Sequence, residues 1–420
     1  MISSLTAVGK QDKNRKKTVK MGKTMEKIRE NYNVTITACY IGFITQAIVN
    51  NFVPLLFVTF QRQYGISLDR IALLISINFG VQLLTDACAA GIIAKIGERK
   101  AIMTAHICSG TGLLLLAFLP KVLPNSYFGL LAGIICYAVG GGLIEVMVSP
   151  IVEACPTEKK EAAMSLLHSF YCWGHVAVIL ISTLFFAAFG TESWWILACI
   201  WAGVPFANTW LFAQVPIRSL VEEGESMSLP ELLQQKMFWI LFVVMVCAGA
   251  AEQGMSQWAS AFAEMGLGVT KTVGDLAGPC MFALCMGAAR AWYGKYSEKI
   301  ILHSFMMLSG GLCVVAYLLT GLSQNPVIGL LGCALCGLSV GIMWPGSFST
   351  GAKVLRRGGT AMFALLALAG DLGCSAGPGL VGMVSELAGG SLKAGLVSAV
   401  VFPILLIVGI LMIKRETGRV

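Results

Sequence analysis

Five carboxylic acids stand inside long apolar runs of this chain, and its chemistry is to be sought there. Asp86, Glu145, Glu252, Asp275 and Asp371 each fall in a stretch of roughly 20 apolar residues, the length that crosses ~30 Å of hydrocarbon as a helix. An ionisable group in hydrocarbon costs at least about 2.5 to 3.5 kcal/mol, so it faces a cavity or a partner rather than lipid. Hardly any basic residue is buried at comparable depth. A protonated acid, or one that hydrogen-bonds a polar solute, is the cheaper state. Glu145, in GGGLIEVMVSP at 140–150, is the first candidate for a protonation site and Asp86 the second. Glu252 and Asp371 are candidates for solute contact. Asp275 is expected close enough to a surface to be solvated.

Other polar groups at similar depth suggest a cavity. His168 and His175 are seven residues apart in SLLHSFYCWGHVAV and so share a helix face. They are either a proton relay or polar cavity residues that do not titrate. No third ligand lies near them, so a metal site is not expected. Asn50 and Asn51, then Glu252, Gln257 and Trp258, then Trp344 interrupt apolar patterns in three separate runs. Amides both donate and accept, and a flat ring covers the apolar face of a sugar, so this inventory suits a polyhydroxylated solute. Asn50, Asn51, His168, Glu252, Gln257, Trp258, Trp344 and Asp371 are therefore the expected solute contacts.

Those residues must be positioned by membrane helices. The 420-residue chain is 56% hydrophobic and 12% charged, with a mean hydropathy of +0.77. A soluble domain carries about a quarter charged residues. The composition implies an all-α integral membrane protein spanning the bilayer twelve times. Spans are expected at about 33–60, 69–94, 101–119, 127–152, 164–189, 194–216, 237–262, 272–293, 300–322, 326–352, 360–385 and 391–413. Residues 1–30 are a basic tail with no apolar core, 217–236 a polar linker and 414–420 a second tail. The linker divides the chain into bundles at 31–216 and 237–413.

Charge sets the expected orientation. Of 30 Lys and Arg residues, all but Arg62, Arg70, Lys121, Lys271 and Lys393 fall on one side when the number of spans is even. Basic loops stay cytoplasmic, so both termini are expected inside a cell membrane. The net charge of +8 is thereby spent on topology, and nucleic-acid binding is not expected. The 14 cysteines lie mostly within apolar runs, as small core residues. Cys333 and Cys336 have CxxC spacing but sit in a glycine-rich helix, where packing is the expected role.

A weak repeat supports the division. AGIIAKIGERK follows the second run and GAARAWYGKY the eighth, each with glycine or alanine seven residues before a glycine and basic residues around it. This resembles the loop signature of the major facilitator superfamily, with its acidic residue replaced by Ala94 and Ala291. The order LIEVMVSPIVEACP, SLLHSFYCWG and GLSVGIMWPGSFSTGAKVL further resembles the fucose permease group of sugar:proton symporters within that superfamily. Glu145 and Pro150, Phe170, Trp173 and Gly174, and Gly337, Leu338, Ile342, Met343, Pro345, Phe348, Ser349 and Gly351 carry the match; Asn50, Asn51, Phe60 and Gln61 also fit. Pro54 stands where that group has an aspartate, Gly341 where it has a serine and Trp344 where it has a phenylalanine.

The resemblance implies a major facilitator fold of two six-helix bundles moving a small polar solute, a sugar, by alternating access. It implies protons as coupling ion, with Glu145 acting alone or with Asp86 or Glu252. A monomer without cofactor or metal is expected. The main rival is a proton-driven exporter of amphipathic compounds, which the same fold supports. A nutrient sensor would need an output domain, for which a short linker leaves no room. No nucleophile–base spacing or phosphate loop points to an enzyme.

Overall fold

The computed structural model describes residues 31–156, 160–218, 227, 229–296, 301–355 and 357–417, and among these every regular element is helical. The expected basic tail at 1–30 and most of the linker lie outside the described residues. Twelve helices are long and apolar enough to cross a membrane. They are α1 (Tyr32–Tyr64), α2 (Leu68–Ala89), α3 (Glu98–Val122), α4 (Ser126–Val152), α5 (Leu166–Phe189) and α6 (Thr191–Phe212), then α7 (Lys236–Gly266), α8 (Lys271–Tyr293), α9 (Leu302–Leu322), α10 (Pro326–Val354), α11 (Met362–Leu387) and α12 (Leu392–Glu416). Several helices outrun their expected ends; that of α2 continues to Ile96, where Gly97 at φ +83° ends it in a conformation that side chains rarely adopt.

α1 to α6 pack on one another, as do α7 to α12, and the two halves meet chiefly where α2 lies against α11 and α5 against α8. Between α7 and α11 the backbones nearly touch, since a Cβ on Gly373 would overlap the Val246 carbonyl. Because spans alternate in direction, the start of α1, the linker and the end of α12 share one face of the bundle. That face is called here the linker face, and the opposite one the far face. A short helix in the linker, Leu229–Leu233, lies on the linker face with Leu232 buried.

Three of the spans that reach the site are broken along their length. α1 passes through a tight turn at Val53–Leu56 around Pro54, α7 breaks after Ser256, and α10 breaks between Val340 and Met343, just before Pro345. Such backbone is tolerated at membrane depth only where other groups satisfy the freed polar atoms. Those breaks border the site.

Candidate functional site

A cavity of about 540 Å³ lies between the halves, and all three broken helices contribute to its wall. On the first half, Glu145 enters it from α4 and accepts a hydrogen bond from Gln46 Nε2 of α1 at 2.9 Å. Gln46 also donates to Gln82 Oε1 of α2 at 2.9 Å, and Gln82 Nε2 donates to Asn50 Oδ1 at 2.9 Å. Asn78 Nδ2 lies 3.3 Å from the same oxygen. A ladder of amides thus ties this half-buried acid of α4 to α1 and α2. Asn78, Gln82 and Asp86 recur every fourth residue and so form one helix face. That spacing is a signal, readable in the sequence, that places Gln82 with Asp86.

The second half supplies a charge pair. Arg290 Nη2 of α8 lies 3.2 Å from Glu252 Oε2 of α7, and both line the cavity. Hardly any basic residue is expected at this depth, and Arg290 is one that reaches it and finds an acid. Arg290 belongs to GAARAWYGKY, the second copy of the loop signature, yet its helix runs Met281–Tyr296 and carries it inward. Its Nε donates to the Gly341 carbonyl at 3.2 Å and its Nη1 reaches Cys172 Sγ at 3.4 Å. Gly341 is four residues before Pro345, which has no N–H to give it. The same logic recurs in α1, where Pro54 leaves the Asn50 carbonyl without its helical donor. Gln257 Nε2 fills that place from the other half, at 3.1 Å.

Aromatic rings cover much of the remaining wall. Phe43, Phe79 and Tyr171 line it from the first half, and Trp344, Phe348 and Phe363 from the second. Phe348 and Phe363 are tilted at 5.6 Å between centroids, and Phe363 is 40% exposed. Ser149 lies on the linker-face side of Glu145 in α4 and Phe363 on that side of Asp371 in α11, and His168, near the linker-face end of α5, is exposed. The cavity opens there.

Of the expected residues, Asn50, Glu145, His168, Glu252, Trp344 and Asp371 line the cavity together. Asn51, Gln257 and Trp258 do not. Asn51 donates to the Ala47 carbonyl at 2.9 Å, and Gln257 bridges Asn50 and Gln253. Trp258 is fully buried, packs on Phe57 and donates to the Pro378 carbonyl at 3.0 Å. Asp86 lies beside the cavity, its carboxyl against that of Asp371. His175 is buried behind His168, outside the lining.

Toward the far face the halves are locked together. Ser76 Oγ donates to the Ser375 carbonyl at 3.2 Å, and Ser375 Oγ returns a bond to the Ser76 carbonyl at 3.0 Å. Arg62 of α1 pairs with Glu264 of α7 at 2.9 Å. Asp275, expected to be solvated, is buried; it pairs with Lys271 at 3.1 Å and accepts from Thr183 of the first half at 3.3 Å and from Ser260. Lys271 Nζ also donates to the Leu55 carbonyl at 2.5 Å. The site is accessible from one face and closed to the other.

A family model described as Major Facilitator Superfamily matches residues 38–378. The chain superposes on a bacterial homologue of the human lysosomal transporter Spinster, inward-facing and unoccupied, with a TM-score of 0.73 at 13% identity, covering 93% of this chain and 99% of that one. It also superposes on the Escherichia coli fucose:proton symporter FucP, with a TM-score of 0.63 at 15% identity, covering 91% and 99%. No curated protein sequence matches.

Proposed function

The chain belongs to the major facilitator superfamily, and we propose that this transporter carries a small polar solute, a sugar by class, across the cell membrane in symport with protons. The observation that carries the reading is Glu145, an acid in a cavity between two halves, held by a ladder of neutral amides and reachable from one face only. Alternating access needs such a site, since rocking one half against the other transfers it between faces. Asn50, His168, Glu252, Trp344 and Asp371 contact the solute, and Glu145 takes the proton. The linker face is cytoplasmic, because most basic loops lie there. FucP, whose fold this chain shares, is itself a sugar:proton symporter.

A second reading has its own support. Six aromatic rings line the same cavity, which suits an amphipathic compound exported against protons. Thermal unfolding of the purified protein against sugars, amino acids, organic acids and amphipathic drugs separates the two, because a ligand stabilises only the fold that binds it. Stabilisation by sugars is expected; stabilisation by drugs alone replaces the symport reading. In proteoliposomes, Glu145→Gln should lose uptake driven by a pH gradient and keep solute exchange. Intact proton-driven uptake in that variant removes Glu145 from the role.

A further inference from the structure

We infer that Asp86 and Asp371 form a second proton site, built from one carboxyl of each half, whose shared proton holds the far face shut. The inference rests on the alternating-access reading and adds the element that couples a proton to the movement.

The two carboxyl groups are in hydrogen-bonding contact, Asp86 on α2 and Asp371 on α11. Asp86 Oδ1 and Asp371 Oδ2 are buried and find no protein donor. A carboxylate only accepts, so nothing but a proton makes a bond between these groups. With one proton shared, the contact is a charge-assisted O–H···O⁻ bond, among the stronger hydrogen bonds. Without it, two like charges face each other in a low dielectric and repel.

The place of the pair gives that repulsion a mechanical outcome. From the far face inward, α2 and α11 touch at Ala72 with Gly382 and at Ser76 with Gly379 and Ser375, and then at the acid pair. On the linker-face side of the pair, Phe363 and Ala367 of α11 line the cavity. The acids sit at the fork between closed and open segments.

Among the described residues no unpaired cation faces the two acids: Glu145 of α4 and Glu252 of α7 share the cavity with Asp371, and Cys374, one turn along α11, brings only an uncharged thiol. Arg290 of α8 is committed to Glu252, Cys172 and Gly341. Loss of the proton therefore leaves repulsion unscreened at the interface.

Dissociation turns one carboxylic acid and one carboxylate into two carboxylates and a proton, which leaves to water. Asp371 lines the cavity and Asp86 is partly exposed, so the proton departs toward the linker face. Protonation favours the state described here, and release on the linker face drives α2 from α11 and opens the far face. Glu145 cannot do this from its own half, where its partner Gln46 belongs to the same bundle.

The test is hydrogen exchange of the full chain in lipid nanodiscs, in acidic and alkaline buffer, corrected for intrinsic amide rates. Amides at the far ends of α2 and α11 should be protected in acid and exchange several-fold faster in alkali. Asp371→Asn gives Asp86 a permanent amide donor, so protection should persist in both buffers; Glu145→Gln should keep the wild-type response. In a Glu145→Gln background, infrared difference spectra should show a protonated-carboxyl band that adding Asp371→Asn or Asp86→Asn removes. A wild-type response in Asp371→Asn, or no response in wild type, overturns the inference. If the response vanishes in Glu145→Gln alone, the coupling belongs to Glu145. Solute-dependent stabilisation of the same preparations tests the transport reading separately.

Discussion

Gln257 Nε2 lies 3.1 Å from the main-chain oxygen of Asn50 and supplies, from the opposite half, the donor that Pro54 withholds. A kink in one half thus creates an acceptor that the other half satisfies. Gln257→Leu leaves that buried carbonyl unpaired and should cost about 1–3 kcal/mol. Pro54→Ala returns the N–H to α1, so Pro54→Ala combined with Gln257→Leu should recover much of the loss. Thermal unfolding of the four proteins in one detergent, read as a double-mutant cycle, measures the coupling.

Arg290 and Glu252 form a pair that neither can leave cheaply. Arg290→Met strands the Glu252 charge and the Gly341 carbonyl together, and should destabilise by about 3–5 kcal/mol. Arg290→Met with Glu252→Gln removes both charges and should be more stable than Arg290→Met alone. The order of unfolding temperatures checks this.

The reciprocal serine contact between α2 and α11 offers a reversible lock. Ser76→Cys with Ser375→Cys should form a disulfide under oxidant, stop transport, and regain it under reductant. Each single variant should ignore the oxidant. Transport that continues with the bond formed, as seen by mass spectrometry, would show that α2 and α11 need not separate.

The two tryptophans once expected together at the solute should behave differently. Trp344 lines the cavity, so Trp344→Ala should raise the half-saturating solute concentration about tenfold or more, equivalent to at least about 1.4 kcal/mol of binding. Trp258 is packed on Phe57, so Trp258→Phe should lower the unfolding temperature with solute affinity unchanged. Concentration-dependent thermal shifts report both quantities.

The twelve spans were legible in the sequence because bilayer thickness fixes how many apolar residues a helix needs. Glu145 was legible too, since an acid in hydrocarbon is expensive wherever its helix packs. The proline breaks carried a further readable rule, each pointing to an orphaned carbonyl four residues earlier. Arg290 was not readable, because a basic residue near the end of an apolar run ordinarily reaches toward the surface. Only the packing of α8 against α5 and α10 turns it to Glu252. Trp258 and Trp344 looked alike, and helix rotation about its own axis sent one into the core and the other into the cavity. The meeting of Asp86 with Asp371 joins residues far apart in the chain and in different halves. Composition and spacing set the cost of each buried acid, while the docking of one bundle on the other decided which acids meet.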